Sequence, residues 1–272
     1  MNTHIFKTAA ITIMLLMTTI GCNKTTAIIS KIDSEIAVTM MESSSQTFQM
    51  YFSTTKKYPC YNYLIDLSLK KSLLIIDITY KGEIETDMCL TAFGPATTKV
   101  DLGVLHNGTY QLNFYNEHIR QSGELIVSSN GYTTNFVDNS ICYFTNTSLN
   151  KIPENTLWMA INYNEEEKLL SFLEDLMSLE VTEKTYASGY YSFESTLYPG
   201  SYSGFKIEEN GTIIYYPDLT DYGVKQGRSF TQSFVFQYSG NTEDIGQVIK
   251  QYKEQLEIRA YRDGGEQILS WL

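Results

Sequence analysis

Side chains able to act as nucleophiles or metal ligands are few in this chain of 272 residues: four cysteines and three histidines. Cys22 stands apart, because it ends the apolar run Thr8–Ile20 directly after the small residue Gly21, with Lys7 in front of the run. Cys60, Cys89 and Cys142 are an odd set for a compartment that permits disulfides. Cys60 and Cys89 are the expected pair, since both fall in one proposed domain, and an unstrained bridge there contributes roughly 3–4 kcal/mol. The alternative is three free thiols. Metal ligation is not expected, because no C-x-x-C or neighbouring His accompanies them.

His106 and His118 lie near turns, and nothing local puts a base beside a Ser or Cys nucleophile. Gly200-Ser-Tyr-Ser-Gly204 has Tyr202 where a nucleophile elbow carries Ser. Zincin, phosphate-loop, dinucleotide and EF-hand patterns are all missing from the sequence. Asp218 and Asp221 flank a turn and read as turn caps. No catalytic residue, metal or cofactor is expected, although carboxylates distant in the chain keep a hydrolase open as a third reading. Tyrosine, 21 in all, is the unusual component. Tyr186, Tyr190, Tyr191, Tyr198 and Tyr202 crowd a glycine-punctuated stretch and are the candidate binding surface, offering large rings at low rotamer cost. The competing reading is a hairpin whose rings cover a sheet.

The Thr8–Ile20 run is too short for a permanent span and has the layout of an export signal. With Ile20-Gly21-Cys22 it resembles the lipobox of bacterial lipoproteins, Thr19 standing where that family usually has Leu. The resemblance implies a signal peptide over residues 1–21 and lipidation of Cys22. It also implies an exported protein anchored in the cell envelope, at the periplasmic face or the cell surface. An ordinary signal cut near Gly21 would export the chain equally. About 250 residues then remain, enough for two domains, with 43% hydrophobic and 19% charged residues as in folded chains. Loss of Lys7 takes the net charge from −11 to −12. Such a surface repels phosphate backbones and anionic head groups, so nucleic acid is not an expected partner and membrane attachment falls to the acyl chains.

After a tether (22–29), residues 30–137 alternate with period two. Tyr61–Leu69 and Leu73–Tyr80 are the clearest strands, joined by Lys70-Lys71-Ser72 as a tight polar connection. Thr98–Val104, Thr109–Glu117 and Gly123–Ser128 continue the series, which argues for an all-β sandwich. In Leu105-His-Asn-Gly108-Thr-Tyr110 a Tyr follows a turn Gly by two residues. This resembles the tyrosine corner of immunoglobulin-like and fibronectin type III domains and implies a packing role for Tyr110.

A polar linker (138–155) leads to an α+β domain (156–272). Leu157–Tyr163 reads as a strand, followed by a helix capped by Asn164 with Glu167 in a capping box. Leu169, Phe172, Leu173 and Leu176 form its apolar face. Phe230–Tyr238 repeats the strand, Asn241 or Thr242 caps a second helix, and Ile245, Val248, Ile249, Tyr252 and Leu256 form its face. Two such units with a Tyr-rich insertion resemble a ferredoxin-like split βαβ fold; another α+β order is the alternative. The expected function is non-catalytic: an envelope lipoprotein that binds a glycan or an envelope protein. A peptidase inhibitor or chaperone-like module is the alternative.

Overall fold

Alternating runs become strands through most of the first half of the chain. The computed structural model describes residues 29–30, 33–43, 45–60, 62–85, 92–194, 202–216, 230–263 and 266–270. Its first strands are β1 (Ile29–Ser30), β2 (Ile36–Glu42), β3 (Phe48–Tyr58), β4 (Leu64–Ser72), β5 (Ile75–Ile84) and β6 (Gly94–Asp101). Then come β7 (Gly108–Asn116), β8 (Ile119–Val127), β9 (Gly131–Phe136), β10 (Cys142–Phe144) and β11 (Ser148–Asn150). The remainder is β12 (Thr156–Tyr163), α1 (Glu166–Met177), β13 (Val181–Glu183), β14 (Gly189–Glu194), β15 (Tyr202–Ile207) and β16 (Ile213–Tyr216). It ends with β17 (Phe230–Tyr238), α2 (Thr242–Gln251), β18 (Glu257–Arg262) and β19 (Glu266–Ser270). The fold is thus mostly β, with two helices among the described residues.

A large mixed sheet runs β11-β9-β8-β7-β5-β4-β6-β3-β2-β14-β15-β16, with β1 on β5 and β10 on β2. It curls so that β2, β3 and β6 face β5, β7, β8 and β9 across one core. Phe52 of β3 meets Tyr80 of β5 and Phe114 of β7 edge-on, at 6.0 and 6.3 Å between centroids. The second sheet, β13-β17-β12-β18-β19, is antiparallel throughout. Its strand β12 is buried along nearly its whole length because both faces are covered. Leu157, Met159 and Ile161 pack with Leu169, Phe172 and Leu176 of α1 and Ile245, Val248 and Ile249 of α2. Trp158 and Ala160 face the opposite way, onto rings of the β14–β16 hairpin.

That hairpin is part of the large sheet and packs against the second. Phe193 of β14 pairs in parallel with Glu42 of β2, while Trp158 of β12 stacks on Phe205 of β15 at 4.9 Å. Tyr261 of β18 sits 5.1 Å from Phe193 and shares a 3.0 Å hydrogen bond with Tyr215. The stretch 138–155, read from sequence as a linker, is docked on the large sheet by side-chain amides that imitate a peptide strand. Gln121 accepts from the N–H groups of Ile141 and Cys142, both at 2.9 Å, and donates to the carbonyls of Asp138 and Cys142. Asn146 accepts from Met40 N–H at 3.0 Å and donates to its carbonyl.

Two local expectations are corrected. Lys70, Lys71 and Ser72 belong to β4, and the turn is Leu73-Leu74, because Ser72 pairs directly with Ile75. Leu73 there takes φ 38° and is 95% exposed. The cap of α1 is Glu165 rather than Asn164, and its side chain makes no capping bond. Asn241 does cap α2, accepting from Glu243 N–H at 3.0 Å.

Truncating Trp158 to alanine removes the ring on which the inter-sheet layer stacks. The expected loss is about 3–5 kcal/mol in urea denaturation, within a single transition. Conversely, Leu73→Asn relieves an exposed left-handed leucine and should raise stability by roughly 0.5–1 kcal/mol. A fall in midpoint for that variant would show the turn conformation to be otherwise.

Candidate functional site

The joint between the two sheets leaves a groove at the end of β2. Its first lobe, about 370 Å³, is lined by Glu42, Ser43, Ser45, Gln46, Ile152, Glu154, Asn155 and Asp263. A second lobe of about 470 Å³ shares Glu42, Gln46, Ile152 and Glu154 and so adjoins the first. It adds Ser129, Asn130, Asn150 and Lys151 as polar lining, with Tyr132, Tyr186 and Tyr191 as aromatic lining.

Glu42 is the central group. It is the last residue of β2, and pairing with Phe193 leaves it only 2% exposed. Its carboxylate accepts from Ile152 N–H at 2.8 Å and from the Tyr132 hydroxyl at 3.3 Å. Lys151 lies 5.3 Å from the Tyr132 ring centroid. Burial pushes the Glu42 carboxyl above its ordinary range, while those two hydrogen bonds and Lys151 pull the other way. The Tyr132 phenol is raised as well, by burial and by the neighbouring carboxylate.

Three of the six non-glycine residues with positive φ among the described residues line the first lobe: Gln46 (58°), Asn155 (60°) and Asp263 (44°). Such backbone costs energy at each position and collects where a surface is shaped for contact. Asp263 is fixed besides by accepting from Thr156 N–H at 3.2 Å and the Tyr238 hydroxyl at 3.3 Å. The groove therefore offers carboxylate, amide and phenol groups on a rigid frame, with Lys151 among its lining. Among the described residues no three His, Cys, Asp or Glu side chains gather as a metal site.

The tyrosines expected to form a stacking surface are placed differently. Tyr186 and Tyr191 are 9% and 2% exposed: their rings fill the layer around Trp158, at 6.0 and 5.1 Å from it, and line the groove from below. The sheet covering β12 needed large rings, and these supply them. Tyr190 is half-buried under Lys206, 5.7 Å from its ring. Tyr198 lies outside the described residues, as does the side chain of Tyr202, whose backbone belongs to β15. Cys22 and Cys89 lie outside them too; Cys60 is disulfide-bonded and Cys142 is a free, buried thiol.

Tyr110 donates to the His106 carbonyl at 3.0 Å, behind Gly108 at φ 156°. Tyr191 repeats this arrangement, donating to the Ala187 carbonyl at 2.9 Å behind Gly189 at φ 129°. The second instance went unread, yet Gly-x-Tyr at 108–110 and 189–191 was its signal. Sequence reasoning missed Glu42, Gln46, Asn155 and Asp263 altogether, because the groove is assembled from six distant segments, 42–46, 104–105, 129–132, 150–155, 186–191 and 263.

A buried carboxyl with a raised value stabilises the folded state fully below its ordinary value of 4.5 and loses that contribution as pH climbs through the folded value. Glu42→Gln keeps an acceptor for Ile152 N–H and removes the titration. The fall in Tm as pH rises above about 4.5 should become shallower in the variant. An unchanged slope would assign the dependence to another group. Comparison with protein-family models, with curated proteins and with solved structures gives no match.

Proposed function

We propose that this protein is a non-catalytic cell-envelope lipoprotein, anchored through Cys22, whose inter-sheet groove binds a glycan segment. The observation that carries the reading is the groove itself: a polar, rigid-backed cleft of carboxylates and amides over tyrosine edges, at the joint of two sheets. Hydroxyl-rich ligands suit such a lining, since each hydroxyl both donates and accepts. Glu42 is engaged by Ile152 and Tyr132, which favours a fixed positioning role over proton transfer.

In finer terms the large sheet through β11 is an immunoglobulin-like sandwich, a reading supported by the Tyr110 corner. The second sheet is a ferredoxin-like split βαβ unit. Its support is the order β13-β17-β12-β18, with α1 between β12 and β13 and α2 between β17 and β18. The hairpin β14–β16 is then an insertion between the second and third strands of that unit.

Two measurements test the function. Cys22→Ser should move the protein from the membrane to the soluble fraction without acylation. On a glycan array and in glycan titrations, the soluble form should bind, and Lys151→Ala with Asn130→Ala should weaken binding at least tenfold, about 1.4 kcal/mol. An empty array, with nothing retained from an envelope extract, would remove the binding reading.

A further inference from the structure

The groove and the start of the described chain lie at opposite ends of the large sheet's curled core. β1 pairs with the far end of β5, Ile29 opposite Ile84 and Ser30 opposite Glu83. At the other end of β5, Ile75 lies opposite Gln111 of β7. Val104 and Leu105 of the groove immediately precede β7, whose Gly108 pairs with Val127 of β8. Ser129 and Asn130 occupy the turn just beyond Val127. The groove therefore sits at the Ile75 end and the tether enters at the Ile84 end.

Two lengths decide what this means for an anchored molecule. β5 has 10 residues, about 30 Å at the rise of a strand. The chain from Cys22 to Ile29 reaches at most about 25 Å when fully extended. To turn the groove toward the bilayer, the tether would have to run back along the whole length of β5, and it is too short. We propose that the groove is membrane-distal, held about 30 Å beyond the point where the tether joins the sheet. Its ligand is accordingly a glycan chain presented from the far side, not the head group of a lipid in the anchoring membrane. This rests on the anchored, glycan-binding reading above. The net charge of the cleaved chain, −12 once Lys7 is lost from the −11 of the full sequence, acts in the same sense, because anionic head groups repel the body of the protein. Leu73 and Leu74, exposed in the turn before Ile75, likewise project at the groove end, away from the anchor.

The test uses the acylated full chain in vesicles that carry a short-range nitroxide quencher at the head group. Single fluorophores go on Lys57→Cys and Leu73→Cys, both exposed and neither lining the groove, while buried Cys142, its thiol pushed up to about 12, stays unlabelled. Lys57 lies near the tether end, since it pairs with Pro95 while Thr97, two residues on, pairs with Leu64 opposite Ile84. Quenching several-fold stronger at 57 than at 73, with glycan affinity within twofold of the soluble form, is the expected result. Equal or reversed quenching on a membrane-bound protein overturns this inference alone. A protein that stays in solution with Cys22 intact removes the anchored reading and this one together.

Discussion

Strand β2 is buried on both faces, so every peptide group along its two edges needs a partner inside the protein. β3 satisfies one edge over the full strand. The other edge is satisfied in relay by segments far apart in sequence. β10 pairs with Ile36–Val38, Thr145 N–H donates to the Val38 carbonyl at 2.9 Å, and the Asn146 side chain takes both groups of Met40. Phe193 of β14 then pairs with Glu42. An unsatisfied buried amide costs about 1–3 kcal/mol, so none of these partners can be withdrawn cheaply. This edge draws residues 142–146 and the tyrosine-rich hairpin onto one strand and thereby fixes the two sheets relative to each other.

The composition follows from that arrangement. A strand covered by helices on one face and by a second sheet on the other must be apolar throughout, as Leu157–Ile161 are. The covering hairpin in turn needs residues large enough to fill the space between sheets and polar enough at the tip to end at a hydrogen bond. Tyrosine meets both demands: Tyr186 meets Thr156, Tyr191 reaches the Ala187 carbonyl, and Tyr215 meets Tyr261. The abundance of tyrosine is in this part of the chain a packing property.

Period-two and helical spacing were legible wherever one face of an element is wet. The expected Phe230–Tyr238 strand matches β17 end to end, and the apolar faces of α1 and α2 are those that are buried. Spacing says nothing about what covers an apolar face, so rings that coat β12 read equally well as rings for a ligand. Polar stretches misled for a related reason. Asn, Ser and Thr between 138 and 155 suggested a linker, whereas Gln121 and Asn146 supply the donors and acceptors that let that stretch lie down as strand. The groove was illegible because Gln46, Asn155 and Asp263 adopt left-handed backbone far apart in the chain, with no glycine to mark it.

The odd cysteine has a consequence for how such a chain matures. Cys142 opens β10, where Gln121 grips the backbone on both sides of it, and its thiol is raised to about 12 by burial. At pH 7–8 only about one molecule in ten thousand or fewer carries the thiolate that attacks a disulfide. While the chain is unfolded the same sulfur competes on ordinary terms with its neighbours. Docking of β10 is therefore the moment at which mispairing stops being possible, and oxidative maturation becomes a race that the sheet itself closes.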